Sequence, residues 1–300
     1  MLTWLFIIIL AYLFFSFSYF GDKLVLSGPP SPKLYTFYVG ILSILVIFLI
    51  PFIKFSFPTI TGMIWIILEA ITYILGLYAM FVALEKFDVS KVMTTIGALQ
   101  PVVILILTWI FFGFQTITNI NFLAFVILFI GSIVISIEKT FKITGNYLVL
   151  TLFSSLMFSF AYVFSKLVFL NQSFLQGLVW MNIFTFLFIL IFLFDKELRG
   201  QIFSKKITLN KKTGILFLFS QSAGGIANIL QSFAISLSPV ASLAIMNSLR
   251  GVQYIFLFII TLIFSFFFPK ILKEDISKRI ILQKTIAIVL IVFGLGTLIS

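Results

Sequence analysis

Two ionisable residues lie deep inside long apolar runs: Glu69 in the run over 60–84 and Arg250 in the run over 240–268. A charge at the centre of a bilayer is costly, so such residues usually face the interior of a helix bundle. The Arg250 guanidinium, a planar fork of donors, suits an anionic group such as a carboxylate or phosphate. Glu69 suits a cationic group or a proton. The competing reading is that the two side chains pair and lock their helices together.

Other polar residues gather near these two at helical spacing. Tyr73 and Gly76 follow Glu69 at i+4 and i+7, and Met246, Asn247, Gln253 and Tyr254 flank Arg250. Gln221, Asn228 and Gln231 fall close to one face of the run over 214–237, and Trp180 and Asn182 lie in the run over 174–194. These residues are candidates for a substrate-binding site. Amides inside lipid also serve as helix–helix glue, and for each amide taken singly that is the simpler reading. Their concentration in two neighbouring runs favours a binding site.

No catalytic set is visible. The chain has no His and no Cys, which excludes thiolate and imidazole chemistry and the common zinc sites. Asp22, Asp88, Asp195 and Asp275 fall in loops or at the ends of apolar runs. No phosphate-binding G-x-x-x-x-G-K-[ST] motif occurs, so ATP hydrolysis by this chain is not expected. No cofactor, metal or enzymatic activity is implied.

Apolar runs long enough to span a bilayer, which needs about 20 helical residues, must position these side chains. They cover 2–21, 34–53, 60–84, 89–113, 120–137, 147–169, 174–194, 214–237, 240–268 and 280–299. The 300 residues are 62% hydrophobic and 10% charged, with a mean hydropathy of +1.25, so lipid must solvate most of the surface. The net charge of +11 comes from loop lysines and arginines, and the positive-inside rule accounts for it without a nucleic-acid partner.

The two halves resemble each other. Residues 15–26 read FSFSYFGDKLVL and residues 158–169 read FSFAYVFSKLVF, identical at seven of twelve positions. A second alignment sets 83–92 (ALEKFDVSKV) against 234–243 (AISLSPVASL). Residues 1–140 and 146–300 thus form two five-helix repeats, and five being odd, the second must be inverted. The fold class expected is an all-α integral membrane protein with about ten transmembrane helices in two inverted repeats. Tyr19 and Tyr162 are repeat equivalents, as are Lys23 and Lys166. They read either as interfacial anchors or as paired gates on opposite faces.

At this point the chain resembles the EamA branch of the drug/metabolite transporter superfamily. The likeness rests on the five-plus-five arrangement and on 78–113, YAMFVALEKFDVSKVMTTIGALQPVVILILTWIFFG, with a small-residue AL, a short loop and a proline-bearing fourth helix. Gly131 matches the glycine of the family's fifth helix. The chain departs from the pattern in three places. Phe114-Gln115 follow Gly113 where many members have GE, Val252 stands opposite Pro101, and the loop 269–279 is longer and more charged. The resemblance implies a secondary transporter of a small polar or amphipathic metabolite, for instance an amino acid or drug-like compound, working by alternating access in the cell membrane. Its partners would be that substrate, the lipid bilayer and a coupling proton or exchanged solute. A passive channel and a membrane-embedded enzyme are the alternatives. A channel should show stacked rings or a continuous polar stripe, and the residues cluster instead. Orientation is open: 17 of the 20 basic residues fall on odd-numbered connections, which puts both termini outside, whereas the resemblance implies both inside.

Overall fold

The structure, a computed structural model, describes residues 3–26, 31–87, 89–114, 117–136, 145–203, 211–267 and 278–299. All regular secondary structure among them is helical. In chain order the helices are α1 (Thr3–Leu26), α2 (Pro32–Leu42), α3 (Ile60–Lys86), α4 (Val89–Phe112), α5 (Asn119–Ser136) and α6 (Gly145–Asn171). Next come α7 (Phe174–Ile189), α8 (Lys196–Phe203), α9 (Lys211–Leu237), α10 (Leu243–Ser248), α11 (Arg250–Phe267) and α12 (Lys278–Ile299). Tighter 3₁₀ turns extend α2 over Ser43–Phe52 and α7 over Leu190–Phe194.

Eight helical segments among the described residues are long and apolar enough to cross a membrane, and two shorter apolar helices cover Asn119–Val134 and Thr285–Thr297. The starts follow local chemistry. Ser31 accepts from the Leu34 N–H with Pro32 in the first turn of α2, and Thr59 does the same for Gly62 at the start of α3. Large apolar side chains such as Phe6, Phe48, Phe52 and Phe293 point outward, as a lipid-facing surface requires.

The helices pair across the middle of the chain. The most extensive pairings join α1 to α9, α3 to α6 and α5 to α12; α4 also packs on α6, and α1 on α11. Small residues make the first of these possible. A Cβ on Gly21 would stand 2.8 Å from the Ser220 Cβ, and one on Gly224 would stand 2.7 Å from the Ser18 hydroxyl. Gly21→Val should therefore force α1 and α9 apart and destabilise the protein by about 1–3 kcal/mol. A lowered melting temperature of the purified variant would show it, and an unchanged one would contradict this packing.

The expected ninth span is not one continuous helix. A 3₁₀ turn (Val240–Ser242) leads into α10, Leu249 breaks the path, and α11 begins at Arg250. Ser132 of α5 bridges the break: its hydroxyl donates to the Ser248 carbonyl at 2.6 Å and accepts from the Gly251 N–H at 3.0 Å. Backbone groups freed by such a break need partners when water is excluded. Arg250 thus sits inside the span, just past a local interruption at Leu249, whose backbone stays right-handed helical. By contrast, α4 runs through Pro101 unbroken.

Candidate functional site

Arg250 is surrounded by hydroxyls rather than carboxylates. Tyr12 and Tyr19 of α1, Tyr162 of α6 and Tyr254 of α11 all lie within its electrostatic reach, and Tyr12 also acts on it directly through its side chain. Tyr12 is itself fixed by donating to the Met246 carbonyl at 2.6 Å. Tyr254 donates to the Met93 carbonyl of α4 at 2.9 Å. Ser16 adds a bond to the Gln253 carbonyl at 3.0 Å, so α1 is stitched along the broken span.

Many of the polar atoms in this bundle have no partner. Arg250 Nε, both side-chain amide atoms of Asn247, the Tyr162 hydroxyl, Gln231 Oε1, Gln100 Oε1 and Glu69 Oε2 are buried and unbonded. Buried polar atoms are ordinarily paired, so a set of this size needs an explanation. Asn247 is fully buried and its two unbonded atoms offer both a donor and an acceptor. Arg250 at the start of α11 adds its charge to the positive end of the helix dipole, which favours an anion.

Glu69 does not pair with Arg250. Among the described residues the ion pair is Lys33–Asp195, at 2.6 Å on the surface. The bond from Lys33 holds the Asp195 carboxyl below the usual carboxylate range. Glu69 instead lies beside the Ser165 hydroxyl of α6. It connects to the arginine through tyrosines: Tyr73 lies within electrostatic reach of Glu69 and Tyr19, and Tyr19 within reach of Arg250. Asn228 donates to the Tyr73 hydroxyl at 3.3 Å, which ties α9 into the same chain of groups.

The structure separates other candidates from this cluster. Trp180 donates to the Ser56 carbonyl at 3.0 Å and stacks on Phe55, pinning the connection between α2 and α3. Asn182 donates to the Leu178 carbonyl of its own helix. Gln221 binds Asp22 and Tyr35. Gln253 is buried along the α1 contact. Lys166 is buried, and its ammonium donates to the carbonyls of Ile235, Ser236 and Ser238 at 3.0, 3.3 and 2.5 Å, which places it as a cap on the C-terminus of α9. The side chain of Lys23 lies outside the described residues, as do Asp88 and Asp275.

Sequence reasoning passed over Tyr12, Gln100 and Asp22. Tyr12 and Gln100 sit in uniformly apolar surroundings with no spacing signal. Asp22 looked like a span-end residue; it is a buried carboxyl inside α1 because that helix continues to Leu26.

No protein-family model matches the chain, and no curated protein matches its sequence. Solved structures do match, 26 chains in all. One, a crystal structure described only as that of a protein, superposes with a TM-score of 0.67. It covers 96% of this chain and 94% of its own at 13% identity. At that identity the likeness shows the fold alone, and it runs over nearly the whole length. The architecture is that of an all-α, multi-pass membrane protein with a polar cluster inside the bundle.

Proposed function

We propose that this chain is a secondary carrier, working by alternating access on a small polar or amphipathic metabolite that bears an anionic group. The observation that carries the proposal is the set of buried, unpartnered polar atoms beside a broken span: Arg250 Nε, both amide atoms of Asn247 and the Tyr162 hydroxyl. Discontinuous helices that present their ends to a substrate within the membrane recur in secondary transporters. A ligand with an anionic group and further hydrogen-bonding atoms would satisfy these groups together, with Arg250 on the anion and Asn247 on a neighbouring donor or acceptor.

The proposal includes ten spans in two inverted repeats, residues 1–140 and 146–300, and a place in the cell membrane. Two points support the repeats. The pairing of α1 with α9 becomes that of α6 with α3 when the halves are exchanged, and the α1–α11 contact becomes α6–α4. Both α2 and α7 also loosen into 3₁₀ turns toward their C-terminal ends. The EamA resemblance belongs to the same proposal, and the carrier reading does not depend on it.

The test is a thermal-stability screen of the purified protein against anionic, zwitterionic, neutral and cationic metabolites. Stabilisation confined to compounds with an anionic group, and lost in Arg250→Leu, is the expected result. Stabilisation by cations alone would overturn the assignment. Asn247→Ala gives a sharper check. Removing an unbonded buried amide should leave the melting temperature unchanged or raise it, while ligand-induced stabilisation weakens by about tenfold. A lowered melting temperature with undiminished ligand binding would make Asn247 structural.

A further inference from the structure

A second buried carboxyl, Asp22, lies outside the cluster around Arg250. Asp22 Oδ1 receives bonds from the Tyr35 hydroxyl at 2.6 Å, the Ser220 hydroxyl and the Gln221 amide at 3.0 Å. No Lys or Arg forms an ion pair with it among the described residues. The Ser220 hydroxyl also donates to the Ser18 carbonyl at 2.9 Å. Ser220 has one hydrogen and two acceptors for it.

The other buried carboxyl, Glu69, repeats this arrangement with the residues exchanged. The alignment of 15–26 with 158–169 sets Asp22 against Ser165 and Ser18 against Ala161; that of 83–92 with 234–243, extended back along α3 and α9, sets Glu69 against Ser220. Asp22 on α1 meets Ser220 on α9, and Ser165 on α6 meets Glu69 on α3. In both places the serine hydroxyl also donates to the carbonyl at the same repeat position, Ser18 in one and Ala161 at 2.9 Å in the other. Each half-related interface therefore holds one carboxyl, one hydroxyl and one carbonyl.

We infer that Asp22 with Ser220 and Glu69 with Ser165 are two equivalent proton-binding sites, one in each half-related interface, with the serine as a two-position rotor. When the carboxylate is ionised, the serine hydrogen turns toward it. When a proton from water adds to the carboxylate oxygen, the new O–H donates to the serine oxygen, and the serine hydrogen turns to the carbonyl. In the Asp22 site the carboxyl oxygen Oδ1, the serine hydroxyl and the carbonyl each keep a partner in both states, and the bonds from Tyr35 and Gln221 stay in place. Gln221 turns a donor rather than a lone pair toward Asp22, which suits a proton better than a metal cation.

The groups facing these sites leave both states open. Around Asp22 they are Tyr35 from α2, Tyr73 from α3 and Tyr19 on α1, while α9 brings the neutral Ser220 and Gln221. Arg250 of α11 reaches Tyr19, and Lys23 lies outside the described side chains. Around Glu69 it is Tyr73 on α3; Lys166, next to Ser165 in sequence, has its ammonium engaged by α9 carbonyls. The use of these protons to drive transport rests on the carrier reading; the binding sites themselves do not.

Infrared difference spectra of the full-length protein in lipid, recorded as pH is lowered, test the inference without any substrate. The carboxyl C=O band should lose one component in Asp22→Asn, another in Glu69→Gln and both in the double variant. Ser220→Ala should displace the midpoint of the Asp22 component and leave that of Glu69 in place, and Ser165→Ala the reverse. A spectrum unchanged by both carboxyl variants would overturn the sites. Midpoints unmoved by both serine variants would overturn the rotor. Failure here with intact substrate exchange would leave the carrier reading standing, and the opposite result would do the reverse.

Discussion

Replacing Arg250 with Leu is expected to abolish substrate exchange in proteoliposomes, by about 100-fold or more, while the protein inserts and folds. The expectation follows from what surrounds the guanidinium. Its described electrostatic neighbours are four tyrosines, and its Nε has no partner. No carboxylate would be stranded by its removal. Leu is well solvated by a bundle interior, whereas an arginine at the centre of a span costs roughly 2.5–3.5 kcal/mol even on the lenient insertion scale. The melting temperature should therefore hold or rise. Losing one partner of a buried charge-assisted contact costs about 2–5 kcal/mol of binding, which sets the size of the transport defect. Arg250→Lys should recover little, because an ammonium has neither the planar fork nor its reach. Exchange at the wild-type rate in Arg250→Leu would remove Arg250 from the site.

Replacing Lys166 with Leu should have the opposite signature: a large loss of stability. Its three bonds satisfy carbonyls at the end of α9, where the dipole also favours a cation. Leu removes that donor from the Ser236 and Ser238 carbonyls, while the Ile235 carbonyl keeps the Ser238 hydroxyl at 3.1 Å. Charge-assisted bonds contribute about 1.5–3 kcal/mol each and are not additive, so a total near 3 kcal/mol is expected. At roughly 2–4 °C per kcal/mol, the melting temperature should fall by about 6–12 °C. Lys166→Arg should restore part of it. An unchanged melting temperature with lost transport would instead favour the gating role that the repeat position of Lys166 suggests.

Much of this architecture was legible in the sequence, because the constraint that produced it is simple. Helices in lipid must be apolar for about 20 residues, and the runs at 60–84 and 174–194 fall almost where α3 and α7 lie. The break at Leu249 was not legible. It depends on Ser132, more than a hundred residues away, supplying bonds on both sides of the break. Arg250 and Glu69 were legible as interior residues from the cost of burying charge, but their partners were not. Pairing opposite charges is the simplest expectation, and the tyrosines that actually separate them carry no charge to reveal it. Asp22 was misleading for a related reason: α1 extends a turn past the apolar run, and Gly21 lets α9 come close enough to cover the carboxyl.

Under the proposed function the bundle carries its substrate by exposing one site to each side in turn. Counterflow tests it most directly. Proteoliposomes are loaded with an unlabelled anionic compound that stabilises the purified protein, diluted into a trace of the labelled compound, and sampled over time. A carrier predicts transient accumulation of label above its external concentration, dependent on the trapped pool and absent in Arg250→Leu. Label that merely equilibrates, at a rate indifferent to the trapped pool, would contradict alternating access and make the protein a passive channel.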